Sequence, residues 1–112
     1  MAPAELDAIL AALADPARRR VVDLLASGPR RASELADGVG MSRPAMSRHL
    51  RVLRLRGLVE EESPDEDARV RLYRLRPTPF RELRGWLDDV EAFWSEQLAA
   101  FKAHAERRGG GS

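Results

Sequence analysis

Residues 41–58, MSRPAMSRHLRVLRLRGL, constrain this chain more than any other stretch, because they combine a specified helix start and stop with five arginines and no acid. Ser42 is an N-cap residue whose hydroxyl can accept a first-turn N–H. Pro44 falls in the first turn, where a missing N–H costs nothing, and Gly57 can end the helix in the left-handed region. At 100° per residue Leu50 and Leu53 lie within about 40° of Met46, giving one narrow apolar face. Pro44, Ser47, Arg48 and Arg51 point the other way. A solvated helix gains by mixing charge signs at i,i+4, so an outer face of arginines and serine alone is poorly explained by stability. It suits a polyanion, since the guanidinium fork matches both phosphate oxygens and the O6/N7 edge of guanine.

The net charge of +1 conceals this pattern. Residues 43–56 hold five Arg and no acid, residues 60–67 hold six acids and no base, and residues 69–84 hold six Arg against Glu82. At 112 residues one domain with one core is expected. The absence of cysteine excludes disulfides and thiolate metal sites and agrees with cytoplasmic residence. No apolar run reaches the roughly 18 residues of a membrane span, and no basic-then-apolar leader opens the chain, so neither a membrane nor export is expected.

Leu6, Ile9, Leu10 and Leu13 recur at helical spacing and predict a first helix over about 4–14. Asp15 and Pro16 restart the chain as cap and first turn of a second helix, which Gly28 and Pro29 stop. Ser33 is placed to cap a brief third helix carrying Leu35, Ala36 and Val39, and Gly40 supplies a tight turn into the arginine helix. Two helices joined by such a turn, the second one basic, form the helix-turn-helix pattern. Residues 58–63 and 69–75 have strand composition and flank the turn residues Pro64, Asp65, Glu66 and Asp67, which predicts a hairpin, or wing. Thr78 and Pro79 open a last helix, about 78–104, with Phe80, Leu83, Leu87, Val90, Trp94, Leu98 and Phe101 in one stripe, broadened by Trp86 and Phe93. A small winged domain cannot bury so many large side chains against itself, so a partner surface is expected to cover them. Residues 107–112 have the composition of a flexible tail.

The order of these signals resembles the ArsR/SmtB-type winged-helix repressors. The matching residues are Ala14-Asp15-Pro16 with Arg18 and Arg20, Ser33-Glu34-Leu35-Ala36, and the run from Ser42 to Leu53 leading to Gly57-Leu58-Val59. The resemblance implies a mainly α fold with a small β-hairpin: a winged helix-turn-helix with a three-helix core, flanked by N- and C-terminal dimerisation helices, within one domain over 1–106. It implies a homodimeric repressor whose interface uses Leu6, Ile9, Leu10 and Leu13 of the first helix with Leu83, Leu87, Val90, Trp94, Leu98 and Phe101 of the last. By the family pattern Arg43, Ser47, Arg48 and Arg51 contact double-stranded DNA, with Ser42 near the backbone. The helix face independently selects Ser47, Arg48 and Arg51, and Arg43 joins them because the first turn of such a helix points into the groove. On the wing, Arg69 and Arg71 are the candidates, because the acidic tip Asp65, Glu66 and Asp67 would be repelled by phosphate.

Two alternatives accompany this reading: an interaction module docking another chain through the last helix, and a regulator answering a small-molecule effector, of unknown identity, held among Trp86, Phe93, Trp94 and Phe101. No cofactor or metal is expected. The only histidines are His49 and His104, and Asp88, Asp89 and Glu91 fit a solvated helix face better than a metal site. His49, beside the apolar face, suits a packed and hydrogen-bonded role. Catalysis has no support, since a Gly-rich phosphate loop, a cysteine nucleophile and a histidine paired with nucleophile and carboxylate are all missing.

Overall fold

Helix starts in this chain are set by proline and by oxygen acceptors. In the computed structural model, which describes residues 2–64 and 69–109, α1 (Pro3–Leu13) and α2 (Pro16–Leu25) both open on proline, and Asp15 caps α2 by accepting the N–H groups of Ala17 (2.8 Å) and Arg18 (3.2 Å). The end of α1 is sealed from outside. Arg18 Nε donates to the Ala12 carbonyl at 2.7 Å, Arg18 Nη2 to that of Ala11, and Arg19 Nη1 to those of Leu13 and Ala14, so two side chains of α2 bond the carbonyls at the end of α1 and its cap.

The third helix, α3 (Ala32–Val39), begins two residues earlier than a Ser33 cap would allow. Arg31 occupies the cap position, and its N–H donates to Glu34 Oε1 at 3.1 Å; the carboxylate three residues on thus replaces the expected serine. Gly40, at φ 77°, turns the chain out of α3 and towards Ser42. There α4 (Arg43–Leu55) begins, with Ser42 Oγ accepting the Ala45 N–H at 3.3 Å. At its far end Gly57, also at φ 77°, donates to the Arg54 carbonyl while Leu58 donates to that of Leu53. This is a Schellman stop, and Leu53 and Leu58 are both fully buried across it.

Strands β1 (Val59–Glu62) and β2 (Leu72–Leu75) pair antiparallel with Val59 opposite Leu75 and Glu61 opposite Tyr73. The hairpin is shorter than the composition suggests, since Arg69, Val70 and Arg71 precede β2 rather than joining it. Backbone bonds anchor it to the helices: Arg30 and Tyr73 exchange two, at 3.1 and 2.8 Å, and Arg76 donates to Leu58. The tip residues Asp65, Glu66 and Asp67 lie outside the described residues.

Residues up to Phe80 form one unit, built around Val21 and Leu25 of α2, Leu35 and Ala36 of α3, and Met46, Leu50 and Leu53 of α4. Ile9 is a correction. Expected at a subunit contact, it is only 3% exposed and lies, like Ala12, in the core of its own chain, whereas its neighbour Leu10 is 41% exposed. Residues from Arg81 onward form the second unit, carried by α5 (Pro77–Gly109), none of whose described residues is buried. The expected tail is also shorter. Arg107, Arg108 and Gly109 remain helical, the two arginines standing in the last turn, where positive charge complements the helix dipole. Among the described residues no helix is long and apolar enough to cross a membrane.

Candidate nucleic-acid interface

Burying Met46, Leu50 and Leu53 decides which way the rest of α4 faces. These side chains are at most 1% exposed, so Arg43, Ser47, Arg48 and Arg51 are forced to solvent, and all four are exposed. Arg43, Arg48 and Arg51 form no ion pair with any described residue. Ser42 is exposed at the head of this face with its hydroxyl engaged as the cap. The sequence-predicted set on α4 is therefore gathered on one surface.

Further along α4 the surface changes character. Arg54 Nη1 meets Glu61 Oε1 at 2.8 Å, and the Tyr73 hydroxyl donates to the same oxygen at 2.7 Å. Burial, then the hydrogen bond and charge of Glu61, push the Tyr73 phenol above its ordinary value, so it remains a donor. Ser47, Arg51, Arg54, Leu55 and Tyr73 line an open concavity of about 390 Å³ between α4 and the wing. Leu55 stands 75% exposed there.

The wing candidates are placed differently from the helix candidates. Arg71 is 65% exposed at its side chain but lies 3.6 Å from Glu61 Oε2. Arg69 is exposed and shares with Arg71, Arg31 and Tyr73 a second groove, of about 370 Å³, beside the start of α3. Arg31, Arg54, Leu55, Glu61 and Tyr73 were not anticipated as parts of this surface. Periodicity could have found Leu55, which continues the ridge Ser47, Arg51 at i+4; the others meet only through tertiary pairing.

His49 lies inward of the arginine face, half-buried, with Nδ1 3.5 Å from Arg18 Nη1, so the residue that seals α1 also touches α4. Among the described residues no three His, Cys, Asp or Glu side chains converge as metal ligands.

A Gly-turned pair of helices, the second exposing arginines and followed by a β-hairpin anchored to the core, defines a winged helix-turn-helix DNA-binding fold. Residues 15–61, from the Asp15 cap through Glu61, match the bacterial regulatory proteins of the arsR family. The HTH-type transcriptional regulator Rv2034 of Mycobacterium tuberculosis is 40% identical over 90 residues, covering 80% of this chain and 78% of the relative. An ArsR-like transcriptional regulator from Rhodococcus sp. RHA1 superposes with a TM-score of 0.74 at 33% identity, covering 88% of this chain and 91% of that one. The homodimeric winged helix-turn-helix DNA-binding domain Mb0332 of Mycobacterium bovis, solved by NMR, gives a TM-score of 0.60 at 26% identity, with 84% and 82% covered. The chain belongs to the ArsR family and is a transcriptional regulator of that family.

Proposed function

We propose that the chain is a homodimeric repressor that binds an inverted-repeat operator with its two copies of α4 in successive major grooves, about 34 Å apart. The observation that carries this reading is the arginine face of α4: Arg43, Arg48 and Arg51 are exposed and without an ion-pair partner among the described residues, on a helix whose opposite face is locked into the core. Arginines meeting phosphate supply affinity by counterion release, and those reaching guanine edges supply preference. Arg43, Ser47, Arg48 and Arg51 are assigned to the groove, Ser42 to the adjoining backbone, and Arg69 and Arg71 to the flanking backbone from the wing. Bound across promoter DNA, such a dimer represses by occupying the site.

Dimerisation is supported by the exposed stripe of α5, where Leu87, Val90, Trp94, Leu98 and Phe101 are between 47% and 72% exposed, and by the homodimeric state of the Mycobacterium bovis relative. Leu83 of α5 and, separately, Leu6, Leu10 and Leu13 of α1 are also assigned to contacts with the second copy. Ile9 is left out of it.

The test is a gel-shift salt titration of Arg48→Ala and Arg51→Ala on a duplex selected from a random pool. Loss of a phosphate contact lowers the salt slope by about 1, and loss of a base contact costs about 1–3 kcal/mol on the selected site alone. Parental behaviour from both variants would overturn the assignment.

A further inference from the structure

One carboxylate stands inside the basic surface. Glu61 of β1 holds three donors: Arg54 from the last turn of α4, the Tyr73 hydroxyl from β2 directly opposite, and Arg71 just before β2. Its side chain is 22% exposed, against 51% for Arg54 and 65% for Arg71, so a mostly covered anion faces two largely solvated cations.

Stability is a weak reason for this arrangement. The wing is already anchored by the Arg30–Tyr73 and Arg76–Leu58 backbone bonds, and its outer acids Glu60 and Glu62 are matched by Arg74, with Arg76 also near Glu60. Ion pairs with such exposed partners contribute about 0–1 kcal/mol. On a surface meant for phosphate, however, the same carboxylate has a definite cost: it repels the polyanion and weakens the hold that Arg54 and the wing's Arg71 can take on it. The groove arginines Arg43, Arg48 and Arg51 carry no such restraint among the described residues.

We propose that Glu61 is a specificity-determining residue: it restrains Arg54 and Arg71 and cancels part of their charge, so that contacts made by α4 in the groove, and not diffuse attraction at the wing, decide where the protein binds. This rests on the reading of α4 as the DNA-contacting helix. Binding to arbitrary duplex comes almost wholly from phosphate contacts, each adding about 0.9 to the slope of log affinity against log salt. Removing the anion that holds Arg54 and Arg71 therefore strengthens binding to arbitrary sequence more than binding to the operator.

The experiment compares the full-length parent with Glu61→Gln, Arg54→Ala, the double variant and Tyr73→Phe, each titrated with salt on the selected duplex and on a scrambled duplex. Glutamine keeps an acceptor for Tyr73 and Arg54 while removing the charge. Glu61→Gln is expected to steepen the scrambled-duplex slope by about 1–2 and to raise that affinity by about 3- to 10-fold, narrowing the ratio between the duplexes. Adding Arg54→Ala is expected to remove about half of the gain. Tyr73→Phe, which leaves both ion pairs, keeps the parental slope. If Glu61→Gln keeps the parental slope and ratio, or weakens both duplexes equally, the proposal is overturned. A parent that binds neither duplex strikes instead at the DNA-contacting role of α4, so the two failures are distinct.

Discussion

Helices α4 and α5 are both amphipathic, yet they spend their apolar faces in opposite ways. In α4 the narrow stripe of Met46, Leu50 and Leu53 vanishes into the core of its own chain, and what remains outside is dominated by arginine, with Leu55 the one large apolar exception. In α5 the stripe remains outside: Phe93 is 64% exposed, Trp94 61% and Phe101 72%. A buried stripe orients a functional face, whereas an exposed one is itself the face. Contiguous apolar surface of this kind marks an interaction site.

The most severe way to break this comparison is to charge the α5 stripe. Trp94→Glu places an anion at its centre, and the expected result in analytical ultracentrifugation is a shift from twice the 12.5 kDa chain mass to a monomer. Losing the link between two half-sites should cost on the order of 100-fold or more in operator affinity. A variant that stays dimeric and binds as before would remove α5 from the interface.

Next in size is a deletion on the α4 side. Leu53→Ala empties a fully buried position that also closes the Schellman stop against Leu58, and a loss of about 2–5 kcal/mol is expected in denaturant unfolding. The same truncation at Leu98, 49% exposed on α5, should leave monomer stability nearly untouched and act through dimer affinity. Equal losses of unfolding free energy at the two sites would erase the distinction between the helices.

Two glycines sharpen it further, with opposite signs. Gly57 lies at φ 77°, so Gly57→Ala should destabilise by about 1–2 kcal/mol, although the new methyl would meet nothing nearer than Arg76 Nη1 at 3.5 Å. Gly85 lies inside α5 with nothing within 4 Å of an added Cβ, and it sits about 200° round from Leu87, away from the stripe. Gly85→Ala should therefore stabilise the helix by up to about 1 kcal/mol. Thermal melts of the two variants moving in the same direction would contradict this account.

What the sequence made legible follows the same division. The ends of α4 were visible because Ser42, Pro44 and Gly57 act on their immediate neighbours, and its burial was visible because three apolar residues share one narrow arc. Ile9 and Leu10 were not separable: both fall on the apolar side of α1, and helical spacing does not say whether a face meets its own chain or another. The cap of α3 was misplaced because Glu34 reaches back to the Arg31 N–H, a reciprocal role that composition disguises as ordinary charge. Arg18 was matched to a pattern and Arg19 was passed over, and the task the two share, sealing the end of α1, went unread. The Glu61 cluster was invisible for the most general reason. Arg54, Glu61, Arg71 and Tyr73 converge only after the hairpin has set Glu61 opposite Tyr73, and hairpin register is a tertiary outcome.

The smallest expected effect concerns Asp15, whose carboxylate ties the start of α2 to the arginine that reaches His49 on α4. The N–H of Arg18 holds the Asp15 carboxyl below the usual carboxylate range, with the Ala17 N–H and the charges of Arg18 and His49 acting the same way against a smaller opposing effect of desolvation. A folded-state value lower than the unfolded one means that the stabilisation is fully present above about pH 4 and is lost as pH falls through the folded value. Asp15→Asn retains an oxygen that can cap the helix but cannot titrate. Its melting temperature should lie slightly below that of the parent at pH 6, and the gap should narrow as both are taken to pH 2.5. A gap that stays constant across that range would show that the cap holds α2 by geometry alone, and that its charge adds nothing to the platform on which α4 is set.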